Sequence, residues 1–224
     1  MVANLEIKLD EKSKFPLILI PKLGWVQWLP VTKIQIEYFL SSYQDSAYDA
    51  VWYYDIIRTN PRISPNAISA ENYFNAIATN VLPEDCRRFA SWMGQGFRLM
   101  QTNEWIEMYK FAIHCDVDSK IMDQVTAGTS KRINTLLTKI EQASTEYYQS
   151  TKSEPRKLAQ QMLLTQGVVE YVYSDSSGNR FGGHGVPHKK LISSMAKPDT
   201  IQPIANSARE MRMKHFGFRL IQKV

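Results

Sequence analysis

The residues of this chain best suited to hold a metal ion are His184 and His188, a His-x-x-x-His pair, with His215 further on. That spacing brings two imidazoles to one ion when it lies on a helix, whereas Gly185 and Pro187 argue for a loop, and loop histidines are ordinarily solvated. The chain has two cysteines. Cys86 falls on the core face of an expected helix and reads as a small buried hydrophobe. Cys115 follows His114 at a helix end, where adjacent side chains point in different directions, which argues against a Cys–His nucleophile. Gly182-Gly183 is not a phosphate loop, because no Gly-Lys-Ser/Thr follows, and no Gly-x-Ser-x-Gly, His-Glu-x-x-His or dinucleotide fingerprint occurs. The reading is therefore no catalytic set, no metal and no cofactor.

A length of 224 residues with ordinary apolar and charged content suits one α+β domain spanning residues 1–224. The first residues lack a basic segment followed by an apolar one, and the longest apolar run, residues 16–21, is far too short to cross a bilayer. With so few cysteines, a disulfide-built secreted scaffold is disfavoured and a cytoplasmic protein without a membrane partner is expected. The net charge of +5 is unevenly placed. From Arg180 onward Lys189, Lys190, Lys197, Arg209, Arg212, Lys214, Arg219 and Lys223 face only Asp199 and Glu210. Such a stretch would attract nucleic acid, an anionic ligand or an acidic protein surface; the plainer reading is a solvated basic face.

Those residues must be positioned by elements that the pattern partly spells out. Residues 5–9 alternate as a half-buried strand, and residues 17–20 read as a buried one. Thr32 with Gln35 predicts a capping box and a helix to about Tyr43. Residues 47–57 fit helix or strand, and residues 77–82 suggest a strand. Pro83, Glu84 and Asp85 open a helix whose stripe is Cys86, Phe89, Ala90 and Met93. Thr102 or Asn103 caps another, with Trp105, Met108, Tyr109 and Ala112 on its buried side. Residues 116–166 differ in kind, with Ile133, Leu136, Leu137, Ile140 and Ala143 as an apolar stripe and a break near residues 153–155. A shorter helix is expected around Leu158, Met162 and Leu163. Residues 168–173 and 216–221 read as strands and residues 174–178 as a turn.

Several short stretches in a fixed order resemble one family. Pro30-Val31-Thr32-Lys33 with Tyr38-Phe39-Leu40 is similar to the Pro-Val-Thr-Asn helix start of the formylglycine-generating-enzyme/sulfatase-modifying-factor family, a variant of the C-type-lectin-like fold. Glu84 to Gly94, containing Trp92-Met93-Gly94, is similar to its Asp-Ala helix ending in Trp-Leu-Gly. Arg98, Leu99, Glu104 and Trp105 keep the register of its Arg-Leu-Pro-Thr-Glu-x-Glu-Trp segment, although the Pro-Thr-Glu centre is replaced. Gly167-Val168-Val169-Glu170-Tyr171 stands where the family has Asn-Val-Trp-Glu-Trp, and Phe181-Gly182-Gly183-His184-Gly185 where it has Arg-Gly-Gly-Ser-Trp. Gly217-Phe218-Arg219 matches its terminal Gly-Phe-Arg.

The resemblance implies a twisted antiparallel core sheet with flanking helices and a helical insertion at about residues 116–166. It also implies that the arginines and glutamates of these motifs are buried and paired. The family's copper chemistry uses a cysteine pair near the C-terminus, and no cysteine follows Cys115 here. Thiolate is the soft ligand Cu(I) requires. The family's calcium-linked segment loses its Asn and Trp at Gly167 and Val169. The family's sulfoxide synthases take iron on histidines of an extra helical domain, for which this chain has no room. What the resemblance implies is thus a non-catalytic binding or regulatory subunit, recognising another protein or an anionic ligand. Such modules accompany bacterial signalling and defence systems. Residues 182–214 would form the recognition surface, with His184, His188, Lys189, Arg209 and Arg212 as contacts. Ile133, Leu137 and Ile140 would face either a partner helix or their own core. The alternative is a diverged metal-dependent oxidoreductase holding its metal through His184, His188 or His215. A third reading is nucleic-acid binding through the basic C-terminal region.

Overall fold

The computed structural model describes residues 5–42, 49–94, 96–118, 120–151, 157–173, 181–191, 202–203 and 212–223. Within them the architecture is mixed α and β. Strands β1 (Ile7–Leu9), β2 (Pro16–Ile20) and β3 (Gly24–Gln27) form an antiparallel meander. The chain then enters helices α1 (Lys33–Ser42), α2 (Ala50–Thr59) and α3 (Pro83–Met93), strand β4 (Phe97–Leu99) and helix α4 (Thr102–His114). Helices α5 (Ile121–Thr126), α6 (Lys131–Ser150) and α7 (Leu158–Gln161) follow. Strands β5 (Thr165–Gly167), β6 (Val169–Tyr173), β7 (Phe181–His184), β8 (Val186–Pro187), β9 (Gln202–Pro203), β10 (Phe216–Phe218) and β11 (Leu220–Gln222) complete the order.

One sheet runs β1-β2-β3-β11-β4, a second β10-β6-β7-β9, and β5 pairs with β8. The last two strands close both larger sheets. β10 lies parallel to β6, and β11 is inserted between β3 and β4. Residues 216–221 are therefore not one strand. Arg219 sits between two short strands of different sheets, and its side chain is fully buried.

The capping box at Thr32 is present: Gln35 Oε1 accepts from the Thr32 amide at 2.9 Å, and the Thr32 hydroxyl accepts from the Gln35 amide at 3.3 Å. Residues 50–59 are helical, capped by the Asp49 carboxylate on the Val51 amide at 2.8 Å. Residues 77–82 form no strand; a single bridge joins Ile77 to Thr32, and Asn80 adopts φ 56°, which breaks the extended path. Apolar content alone suggested a strand there, and burial without pairing explains the run: Ile77, Ala78 and Val81 are all core residues.

Two apolar cores follow from this layout. Trp28, Trp105, Met108, Ile133, Leu137, Ile140 and Leu158 belong to one, and Phe39, Phe89, Trp92, Tyr171, Phe216 and Phe218 to the other. The stripe of α6 packs on α5 and on the tight turns Pro65–Ala67 and Tyr73–Ala76. Ile133, Leu137 and Ile140 are at most 2% exposed, so they fill their own core and are not a partner-helix face. Arg132 fixes the start of α6 to α1 by two bonds of 2.8 Å to Glu37. Among the described residues no helix is long and apolar enough to cross a membrane.

Candidate functional site

The residues singled out by sequence separate into buried structural groups and a few exposed cations. His184 ends β7 at 2% exposure, and its ring stacks on Trp105 with centroids 4.1 Å apart and planes 14° apart. Trp105 stacks in turn on Tyr109, so three rings form a column beside α4. His188 is fully buried, stacked on Phe74 at 4.4 Å and edge-on to Tyr73 at 5.4 Å, with Tyr147 at 4.9 Å. Its Nδ1 accepts from the Lys190 amide at 3.2 Å, so the neutral ring carries its proton on Nε2. Burial, with Lys189 and Lys190 adding to it, holds His188 below the usual imidazole range. His215 packs against the Phe216 ring, and burial lowers its pKa as well.

Both histidines of the His-x-x-x-His pair are thus packed against aromatic rings, not presented on a solvated loop. The expectation missed this because β7 carries residues 181–184 into the second sheet, and Gly183 lets that strand lie against Phe216 and Val169. A Cβ there would stand 2.4 Å from Phe216 Cε1. Among the described residues no group of three or more His, Cys, Asp or Glu side chains is placed to hold a metal ion.

Of the other expected contacts, Lys189 is exposed, its ammonium 5.5 Å from the centre of the Tyr147 ring. Arg212 is committed inward: Nη1 donates to Asp85 Oδ2 at 2.6 Å and to the Asn80 carbonyl at 3.0 Å. Asp85, 3% exposed, also accepts from Trp52 Nε1 at 2.6 Å and from the Leu82 amide at 2.7 Å. A side chain so engaged holds the start of α3 and is not a free contact. Arg209 lies outside the described residues. The recognition surface expected at residues 182–214 is therefore reduced, among the described residues, to Lys189, Lys190 and Lys214.

Of the arginine–glutamate pairs the resemblance implies, two form, one partly exposed and one fully buried. Arg98 makes a two-pronged bond to Glu104 at 2.6 and 2.7 Å, and Glu104 also accepts from the Gln101 amide at 2.8 Å. Burial alone would raise the Glu104 carboxyl, but these bonds outweigh it and hold it below the usual range. Glu170 and Arg219, both at most 1% exposed, form the second pair. Cys86 is fully buried, and burial pushes its thiol up, the opposite of what a nucleophile needs.

An open concave surface lies elsewhere. A groove of about 530 Å³ runs between the β2–β3 turn and the last turns of α4, lined by Ile20, Leu23, Phe111 and Cys115 with Lys22, Glu107, Lys110 and His114 around them. A second hollow of about 410 Å³ lies across the same turn, bounded by Leu19, Gly24 and Lys223. Sequence reading missed this place, although Phe111 carried a signal: it is an aromatic residue of α4 that falls off the stripe formed by Trp105, Met108 and Ala112. No protein-family model, curated protein or solved structure matches the chain.

Proposed function

We propose that this chain is a non-catalytic binding or regulatory module on a scaffold of the sulfatase-modifying-factor, C-type-lectin-like kind. It recognises a protein partner or an anionic ligand, as an accessory component of a bacterial signalling or defence system would. One pattern supports the reading. The charged and aromatic side chains that the resemblance marks are consumed in holding the core, while an open groove of about 530 Å³ beside α4 has apolar walls and charged side chains at its rim. Arg98 is bound to Glu104, Arg219 to Glu170, and His184 is stacked on Trp105. Groups fixed in this way confer rigidity, and a rigid core presenting a mixed apolar and basic groove is what a recognition module needs.

The experiment is purification of the chain from its own host, with metal analysis and mass measurement of the native complex on one sample. The expected result is a defined complex with another macromolecule or an anionic small molecule and no stoichiometric transition metal. One copper or iron per chain, retained through dialysis, would overturn the reading in favour of the oxidoreductase.

A further inference from the structure

The β2–β3 turn is an unusual place for a lysine. The Leu23 amide closes the turn on the Ile20 carbonyl at 3.1 Å, with Pro21 and Lys22 as its central residues, and Lys22 adopts φ 68°. A turn with Pro second and a left-handed third residue favours Gly or Asn at that third place. A lysine there adopts a backbone conformation that L side chains disfavour. The turn is firmly anchored. Gly24 follows at φ 117°, and its missing side chain allows β3 to lie against the Gln222 carbonyl. Lys22 is therefore held on a ridge between the two hollows, exposed, with apolar surface below it on the α4 side.

Lysines flank this ridge. Lys110 and Lys223 stand on its two sides with side chains 62% and 65% exposed. Of the acids nearby, Glu104 is already bound by Arg98, so its 4.0 Å approach to Lys223 leaves that lysine weakly held. Glu107 pairs with Lys110 at 3.1 Å across an exposed helix face, an interaction too weak to keep the lysine from a better acceptor. Between the charges lies an apolar floor of Ile20, Leu23 and Phe111.

We propose that this groove docks a short acidic segment of a partner protein, which seats one bulky apolar side chain against Phe111 and Leu23 while its carboxylates meet Lys22, Lys110 and Lys223. The inference rests on the binding-module reading and gives it a partner chemistry. The groove is open along its length, so it would leave a lone acyl chain in water, whereas a peptide brings its own covering surface. Its cations flank an apolar floor without forming a continuous stripe, which suits alternating acidic and apolar side chains better than a phosphate backbone.

The test uses random dodecapeptides displayed on phage, panned against the full chain and then measured individually by fluorescence polarisation. The enriched peptides should carry Phe, Trp or Leu flanked by Asp or Glu. Lys22→Glu/Lys110→Glu, both surface changes, should weaken them about tenfold or more at low salt. Phe111→Ala, with its thermal midpoint checked, should weaken them as well. The proposal is overturned if nothing enriches, if the motif is neutral or basic, or if the double variant binds the enriched peptides unchanged. The last result moves the docking face and leaves the binding-module reading standing. It is also overturned if the double variant abolishes binding to a uridine-rich RNA or to phosphatidylserine vesicles while no acidic peptide enriches.

Discussion

At the scale of single residues, the two histidines show how far environment decides chemistry. His188 is enclosed by Tyr73, Phe74 and Tyr147, with the Lys189 and Lys190 charges outside. Its pKa in the folded chain lies below the value near 6.5 of a free imidazole. As pH falls through about 6.5 the unfolded chain takes up a proton that the folded chain refuses, so unfolding gains free energy. Stability therefore drops from there down to the folded pKa of His188 and levels below it. His215 contributes with the same sign. The carboxylate of Glu104, depressed by Arg98, loses its contribution only at lower pH, below the unfolded value of about 4.3. Urea midpoints measured between about pH 7.5 and 5 should fall with acidity, and His188→Phe should flatten that fall in part. A slope that His188→Phe leaves unchanged would show that the buried ring does not titrate on unfolding.

At the scale of elements, the helices were more legible than the strands. The stripe of α3 and the Thr32–Gln35 box were readable because helix spacing and caps are local signals, complete within a few residues. The split of residues 216–221 between two sheets depends on partners β3, β4 and β6, far away in sequence, and no local pattern carries it. The same holds for the groove, assembled from residues 20–24 and 107–115. For α6 the stripe was visible, but which surface it covers was not, since an amphipathic helix looks the same against its own domain or a partner. The structure settles it in favour of the chain's own core, and this has a measurable consequence. Leu137→Asp places a carboxylate without a partner in a site 2% exposed. It should cost on the order of 4 kcal/mol, a large part of the roughly 5–15 kcal/mol that holds an ordinary domain. Circular dichroism on the purified variant should show a thermal transition moved far down in temperature. A folded variant with a near-normal midpoint would return α6 to the surface.

At the scale of the whole molecule, Arg219 is the point where the parts are joined. Nε and one Nη2 proton bond the Glu170 carboxylate on β6 at 3.2 and 3.0 Å, and the other Nη2 proton reaches the Met162 carbonyl beyond α7 at 2.6 Å. Nη1 donates at 3.0 Å to the carbonyls of Gln27 and Trp28, where β3 ends. All five N–H donors of a guanidinium are thus engaged, linking the first sheet, the second sheet and the end of the helical segment through one side chain. Glu170 has a further donor in Trp105 Nε1 at 3.2 Å, which ties in α4. Burial pulls the guanidinium pKa down, and Glu170 counters it. A pair buried this deeply gives little net stability over a well-packed apolar pair, yet removing one partner alone leaves the other charge stranded. Arg219→Met should therefore cost about 3–5 kcal/mol, and Arg219→Lys should rescue little, because an ammonium has three donors and no fork. The double change Arg219→Met/Glu170→Leu should recover a large part of the loss, although the carbonyls of Gln27, Trp28 and Met162 and the Trp105 N–H remain without their donor or acceptor. Urea unfolding of the three variants distinguishes these outcomes. If Arg219→Met and the double variant unfold at the same urea concentration, the stranded charge of Glu170 is not what the single change exposes, and the carbonyl bonds carry the joint instead.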